Sequence, residues 1–361
     1  RMLVRAVTIW AESNQEWLND YEFSPDGESI LALSRKSATG TKTDGQFRIL
    51  RWSRAGQAPE VVRAFTADVE RIAVSPDGHI AVSRFERRKT GSERSFRQGT
   101  KGWEAFSIAD IYEAGSDQPV KTLEFSFFGP HQSLHYSGNG RWLSFGPVVY
   151  STADWKAAWT RSGDRRSPNR WSLHPTLDRM VYATPSFVDW TSGTNPSVTI
   201  FDLERKEIVK QEKDSLREQL RQIAMYKDAV DVLAWRPDGS GILMANGRTF
   251  IDAAMHDVPA AVRDERLSRA MIGRLDSVTQ LGVTSDGVWT IVGYGDSSPE
   301  RVILLNAKQT RGYFIDGRSF RVHPKKPEVL IHQRIYPSTN GASLTRELLL
   351  IVDLNKLTAP K

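Results

Sequence analysis

The turn Ser75-Pro76-Asp77-Gly78, set between apolar pairs in AVSPDGHIAVS, is repeated in intact or degraded form along the whole chain. Aligned on its first residue, the copies are FSPDG at Ser24, VSPDG at Ser75, YSGNG at Ser137, LHPTL at His174, WRPDG at Arg236, VTSDG at Thr284 and VHPKK at His323. They fall about 50 residues apart, the period of a repeat that supplies one small four-stranded sheet. Proline presets φ at the second position of such a turn, and glycine accepts the left-handed conformation at the fourth. Asp26, Asp77, Asp238 and Asp286 are placed to bond their own backbone, so they read as turn chemistry and not as metal ligands or catalytic acids.

The flanks carry the same regularity. The residues one and three before each turn are apolar in all seven copies, from Tyr21/Phe23 and Ile72/Val74 to Phe320/Val322, which is the alternation of a half-buried strand. A second apolar run follows each turn, and third strands follow at FRILRW, AFSIADI, VVYST, VTIFDL, RTFIDA, VILLNA and LLLIVDL. Weaker fourth strands read at EVVRAF, VKTLEF, KAAWT, EIVK, AAVRD and GYFID. No sequence remains for a seventh, but LVRAVTI at residues 3–9 is a spare strand, and pairing it with 347–353 leaves no open edge there.

The expectation is one all-β domain over residues 1–361: a seven-bladed propeller of four-stranded blades, closed by its N-terminal strand. On its repeated SPDG turns the chain resembles the WD-repeat and related SPDG-turn propellers. The Trp-Asp dipeptide of WD repeats is absent, its nearest echoes being Phe201-Asp202 and Val352-Asp353, and the one Gly-His, Gly78-His79, belongs to an SPDG turn. The resemblance thus implies a fold and assigns no activity. Two segments depart from strand periodicity. DSLREQLRQIAMY, 214–226, places Leu216, Leu220 and Ile223 on one helical stripe behind a Ser215/Glu218 capping box. PAAVRDERLSRAMIG, 259–273, carries helix signals in Pro259 and Gly273 yet overlaps the fourth strand expected for blade five, and both readings stand.

Composition fits a globular chain: 39% hydrophobic and 25% charged, with eleven Trp as core anchors. The net charge of +6 favours acidic partners without the dense basic tracts of a dedicated nucleic-acid protein. The absence of Cys excludes disulfides and thiol chemistry and fits cytoplasm or periplasm; RMLVRAVTIW is not built like a secretory signal, which favours the cytoplasm. No apolar run reaches the length of a membrane-spanning helix.

In a blade with strands a to d, the a–b and c–d turns share one end, and the b–c and d–a connections share the other. The a–b turns stay short, whereas b–c connections swell at 34–46, 84–103, 184–197 and 333–345, with d–a excursions at 161–170 and 211–229. Loops on a rigid scaffold concentrate binding residues, so that end is the expected site. RFERRKTGSERSFRQGTK, 84–101, sets seven basic side chains against two acidic. Arg84, Arg87, Arg88, Arg94, Arg97 and Lys101, with Trp103 just beyond, form a candidate clamp for carboxylate or phosphate, set against the plainer reading of a solvated charged loop. Arg165 and Arg166, flanked by Arg161 and Arg170, extend the basic character, and Phe187 and Trp190 are loop anchors or contact residues.

There is no P-loop, HExxH, EF-hand loop or GxSxG elbow. The leading functional expectation is a non-catalytic scaffold or sensor that binds an acidic protein or peptide, with no cofactor. Recognition of nucleic acid or a phosphorylated ligand by the basic loop is the alternative. A channel-centred hydrolase or lactonase follows from fold analogy alone.

Overall fold

The computed structural model describes residues 6–11, 16–37, 45–53, 58–89, 103–126, 133–161, 171–183, 198–212, 232–246, 249–254, 278–294, 300–306, 312–335 and 346–357. They form 27 strands and a single 3-10 turn, Leu354–Lys356, and none of their helices is long and apolar enough to cross a membrane. The strands build antiparallel propeller blades in chain order, and the chain divides into two compact units: Glu12–Arg166, and Arg1–Ala11 with Ser167–Lys361. The first strand, β1 (Ala6–Ala11), belongs to the second of these.

The unit Glu12–Arg166 holds three blades. Blade 1 is β2 (Glu16–Phe23), β3 (Ser29–Ser37), β4 (Gly45–Ser53) and β5 (Glu60–Phe65). Blade 2 is β6 (Val69–Val74), β7 (Ile80–Lys89), β8 (Trp103–Tyr112) and β9 (Lys121–Ser126). Blade 3 is β10 (Leu134–Tyr136), β11 (Trp142–Phe145), β12 (Val148–Ser151) and β13 (Ala157–Thr160). Because strand side chains alternate, each blade has two apolar faces. Leu31, Leu33, Phe47 and Ile49 of blade 1 pack on Ile72, Ile80 and Val82 of blade 2, whose other face meets Leu134, Leu143 and Phe145 of blade 3 through Ala81, Ala109 and Ile111.

In the second unit, blade 4 is β14 (Trp171–Leu173), β15 (Arg179–Ala183), β16 (Val198–Asp202) and β17 (Glu207–Glu212). The next sheet is β18 (Val232–Trp235), β19 (Gly241–Asn246) and β20 (Thr249–Ala254). It is followed by β21 (Val278–Val283), β22 (Trp289–Tyr294), β23 (Arg301–Asn306) and β24 (Gly312–Asp316). The last blade is β25 (Ser319–Val322), β26 (Glu328–Ile335) and β27 (Arg346–Asp353), with β1 as its fourth strand in the register Ala6↔Val352 to Ala11↔Leu348. The N-terminal strand closes the last blade as expected.

The expected seven four-stranded blades are corrected to six, since the sheet of β18 to β20 has three strands among the described residues. Its expected fourth strand at 260–264, and both candidate helices at 214–226 and 259–272, lie outside the described residues.

All seven a–b connections are five residues long: 24–28, 75–79, 137–141, 174–178, 236–240, 284–288 and 323–327. At Ser137 the hydroxyl donates to Asn139 Oδ1 (2.7 Å) and accepts from Trp142 N (3.1 Å), while Gly140 N closes onto Ser137 O (2.9 Å). Thr284 repeats this with Asp286 (2.6 Å) and Trp289 N (3.0 Å). In the two His-Pro copies the imidazole replaces the hydroxyl. Nδ1 of His174 accepts from Thr176 N (3.1 Å) and Leu177 N (2.9 Å), and Nδ1 of His323 accepts from Lys325 N and Lys326 N, both at 2.9 Å. Adjacent turns also touch: a Cβ on Gly140 would lie 3.1 Å from Pro76, and one on Gly239 would lie 2.4 Å from the His174 ring.

Neighbouring first strands are tied by side chain to backbone. Asp20 Oδ2 accepts from Ile72 N (3.1 Å), and Gln280 brackets Phe320, donating to its carbonyl at 2.7 Å and accepting from its N–H at 3.1 Å. Asp20 and Gln280 both stand four residues before their turn, next to a bulge in β2 and in β21, and the bulge aims them out of their own sheet.

Candidate functional site

Residues 84–89 of the basic stretch of blade 2 are strand where the sequence suggested loop. β7 pairs with β8 without interruption from Ile80↔Tyr112 to Lys89↔Trp103, which places the b–c connection at 90–102. Its neighbours stop earlier, β6 at Val69↔Arg84 and β9 at Phe106↔Ser126. Among the described residues, 87–89 with 103–105 therefore stand as a two-stranded ribbon beyond the sheet, about 10 Å long at 3.3 Å per residue.

Alternation then divides the arginines. Arg84, Glu86 and Arg88 share one face with Phe106, Asp110, Thr122 and Glu124 across the register. Arg84 reaches Glu86 and Asp110, both at 2.8 Å, and Arg88 reaches Glu86 at 2.8 Å and Glu124 at 2.9 Å while lying 4.6 Å over the Phe106 ring. Thr122 donates to the other oxygen of Asp110 at 2.7 Å. Hydrogen bonds from Arg88 and Arg84, against a smaller opposing effect of burial, hold the Glu86 carboxyl at about 2. Burial opposes the charge on Arg84, yet its bonds to Asp110 and Glu86 outweigh that and raise its pKa. Both arginines of this face are thus paired in a ladder with Glu86, Asp110 and Glu124.

Arg87 and Lys89 lie on the opposite face of the ribbon, both exposed, with Arg87 5.9 Å from the Phe85 ring centre. Neither has a carboxylate partner among the described residues. Trp103 opens β8 opposite Lys89. Arg94, Arg97, Lys101, Arg165, Arg166, Phe187 and Trp190 lie outside the described residues. The structure thus splits Arg84 and Arg88 from Arg87 and leaves the basic character of the ribbon on the Arg87/Lys89 side. The partners Glu86, Asp110 and Glu124 went unnoticed in the sequence, although the spacing Arg84-x-Glu86-x-Arg88 is what a charged strand face looks like.

Taken with the fold, this is a β-propeller carrying a charged ribbon on its second blade. No family model matches the chain, and no curated protein matches it. Among solved structures, hydrazine synthase of Kuenenia stuttgartiensis aligns at TM-score 0.52 with 13% identity, over 89% of this chain and 94% of that one. TolB from Acinetobacter baumannii aligns at TM-score 0.42 with 11% identity, over 91% of this chain and 64% of that one. At 13% identity the likeness to hydrazine synthase speaks for the fold alone, and these comparisons do not confirm the resemblance to WD-repeat propellers.

Proposed function

We propose that the protein is a non-catalytic propeller scaffold or sensor module that binds a protein or peptide partner, acidic in character, through the b–c and d–a ends of its blades. One observation carries the reading. The a–b connections are uniformly five residues, whereas the b–c connections range from two residues at 146–147 and 247–248 to fourteen at 184–197. The c–d connections, at the same end as the a–b turns, run only from four residues at 203–206 to eight at 113–120, and wider variation at one end of a repeated scaffold is the pattern of a surface adapted to a partner. The test replaces 90–102 and, separately, 184–197 by the native two-residue turn Gly146-Pro147 and compares partner capture with that of wild type at matched thermal stability. Loss of a captured partner by either variant is the expected result; identical partners at equal affinity refute the reading.

A second reading, binding of nucleic acid or a phosphorylated ligand, is favoured by the two exposed cations Arg87 and Lys89. Against it, two of the five arginines of that clamp, Arg84 and Arg88, are occupied by carboxylates. Affinity for mixed-sequence DNA that falls steeply with salt is the result that selects it.

A further inference from the structure

We propose that the ribbon of β7 and β8 receives its partner by strand addition: an extended acidic segment, with a carboxylate at every second residue, pairs with the open edge of β7 at Arg87 and Lys89. This rests on the protein-binding reading above and specifies the chemistry of the partner.

Three observations meet at this edge. First, the direction of the backbone groups follows from the ladder. The a–b hairpin of blade 2 closes with Ser75 N on His79 O (2.9 Å), and Ala73↔Ala81 and Arg71↔Ser83 follow in register. Odd-numbered residues of β7 therefore turn their N–H and C=O toward β6, and even-numbered ones toward β8. The bond from Val120 N to Ile111 O gives the matching phase on the other side, odd residues of β8 facing β9. Beyond Arg84, where β6 ends, Arg87 and Lys89 present their backbone groups to an edge that no strand covers among the described residues. Such an edge is a template for another strand.

Second, the side chains on the two faces ask for different things. A paired strand places its side chains opposite those of β7 with period two, about 5 Å apart. On the face of Arg87 and Lys89, two exposed cations without a carboxylate partner among the described residues match acidic side chains at alternate positions. On the other face Glu86 and Arg88 are already bonded to each other at 2.8 Å, so the intervening residues of the added strand meet no unsatisfied charge there and are best neutral. Third, Arg88 is fixed by Glu86, Glu124 and the Phe106 ring, which holds the ribbon in place before the partner arrives and lowers the ordering cost of binding.

The probe is a fluorescein-labelled decapeptide of alternating Thr and Glu, titrated with the full chain and followed by anisotropy. Wild type is expected to bind it. Arg87→Glu with Lys89→Glu is expected to weaken binding at least tenfold, and Arg87→Pro, which removes an edge N–H but no bond to β8, likewise, with circular dichroism checking that both variants fold. Hydrogen exchange on the complex should slow at the amides of Arg87 and Lys89 and not at Arg88, whose amide already faces β8. The same peptide with every amide N-methylated keeps its charge and loses its donors. Equal binding of that control overturns strand addition in favour of plain charge attraction. A ten-nucleotide oligothymidine that binds more tightly than the peptide overturns the choice of partner, and failure of the peptide to bind wild type overturns the proposal outright. If the chain captures a protein whose affinity survives both ribbon variants, the ribbon proposal fails while the wider reading stands. If shortening the loops leaves every partner in place, the wider reading fails whatever the peptide does.

Discussion

Gly239 and Gly287 occupy the same position of equivalent turns in the same unit, at φ of +72° and +68°, and differ only in what faces them. A Cβ on Gly287 has nothing within 4 Å; one on Gly239 would sit 2.4 Å from Cε1 and 2.5 Å from Nε2 of His174, which is 4% exposed. Gly287→Ala therefore isolates the left-handed backbone penalty, about 1 to 2 kcal/mol. Gly239→Ala carries the same penalty and must also displace the imidazole. Displacement gives up two hydrogen bonds from the backbone of Thr176 and Leu177, about 1 kcal/mol each at this exposed turn, and the ring contact with Trp235 at 4.5 Å, about 0.5 to 1 kcal/mol. The expected excess is about 2 to 3 kcal/mol, read from urea unfolding of the two variants side by side. In a His174→Ala background the excess should disappear, because the obstructing ring is gone. Equal costs for the two glycine variants refute the claim that adjacent turns lock against each other here.

Burial, and secondarily the charge of Arg179, lowers the pKa of His174 below its ordinary 6.5, so the folded state holds the neutral ring whose Nδ1 the turn needs as an acceptor. The unfolded chain then takes up a proton that the folded one refuses, so stability present above pH 6.5 should decline as pH falls through the depressed value; His174→Gln should flatten that decline in denaturant titrations. Deleting residues 1–11 removes the β1 ladder from β27 and should lower stability by about 3 to 6 kcal/mol, with concentration-dependent association through the bared edge seen in light scattering; an unchanged melting temperature counts against it. Glu86→Gln releases Arg84 and Arg88 from a shared carboxylate, so retention on a heparin column should rise while stability changes by less than about 1 kcal/mol, and unchanged retention would show that the ladder does not govern the basicity of this face.

What was legible in the sequence is what closes locally. Ser24, Ser75, Ser137 and Thr284 bond within five residues of themselves, so their signature survives in the order of residues, and the strands on either side follow from alternation around them. His174 and His323 read as degraded copies, although a His before Pro at the serine position retains an acceptor aimed at the same turn N–H groups. The charged end of β7 misled for the opposite reason. RFERRK looks like a solvated loop because its cations outnumber its anions locally, while Asp110 and Glu124, which neutralise Arg84 and Arg88, come from strands set opposite by register and far away along the chain. The ties from Asp20 to Ile72 and from Gln280 to Phe320 were equally silent, since each spans a blade-to-blade step that no short-range pattern encodes.

The pairing of β1 with β27 also sets a timetable. A strand that ends at Ala11 waits for a partner that begins at Arg346, while the unit Glu12–Arg166 is continuous in the chain and has every residue it needs long before synthesis reaches β27. The nascent chain therefore carries β1 unclaimed until β27 has been made. It completes its last blade only when the two most distant described strands meet, by the slowest kind of contact that a folding chain makes.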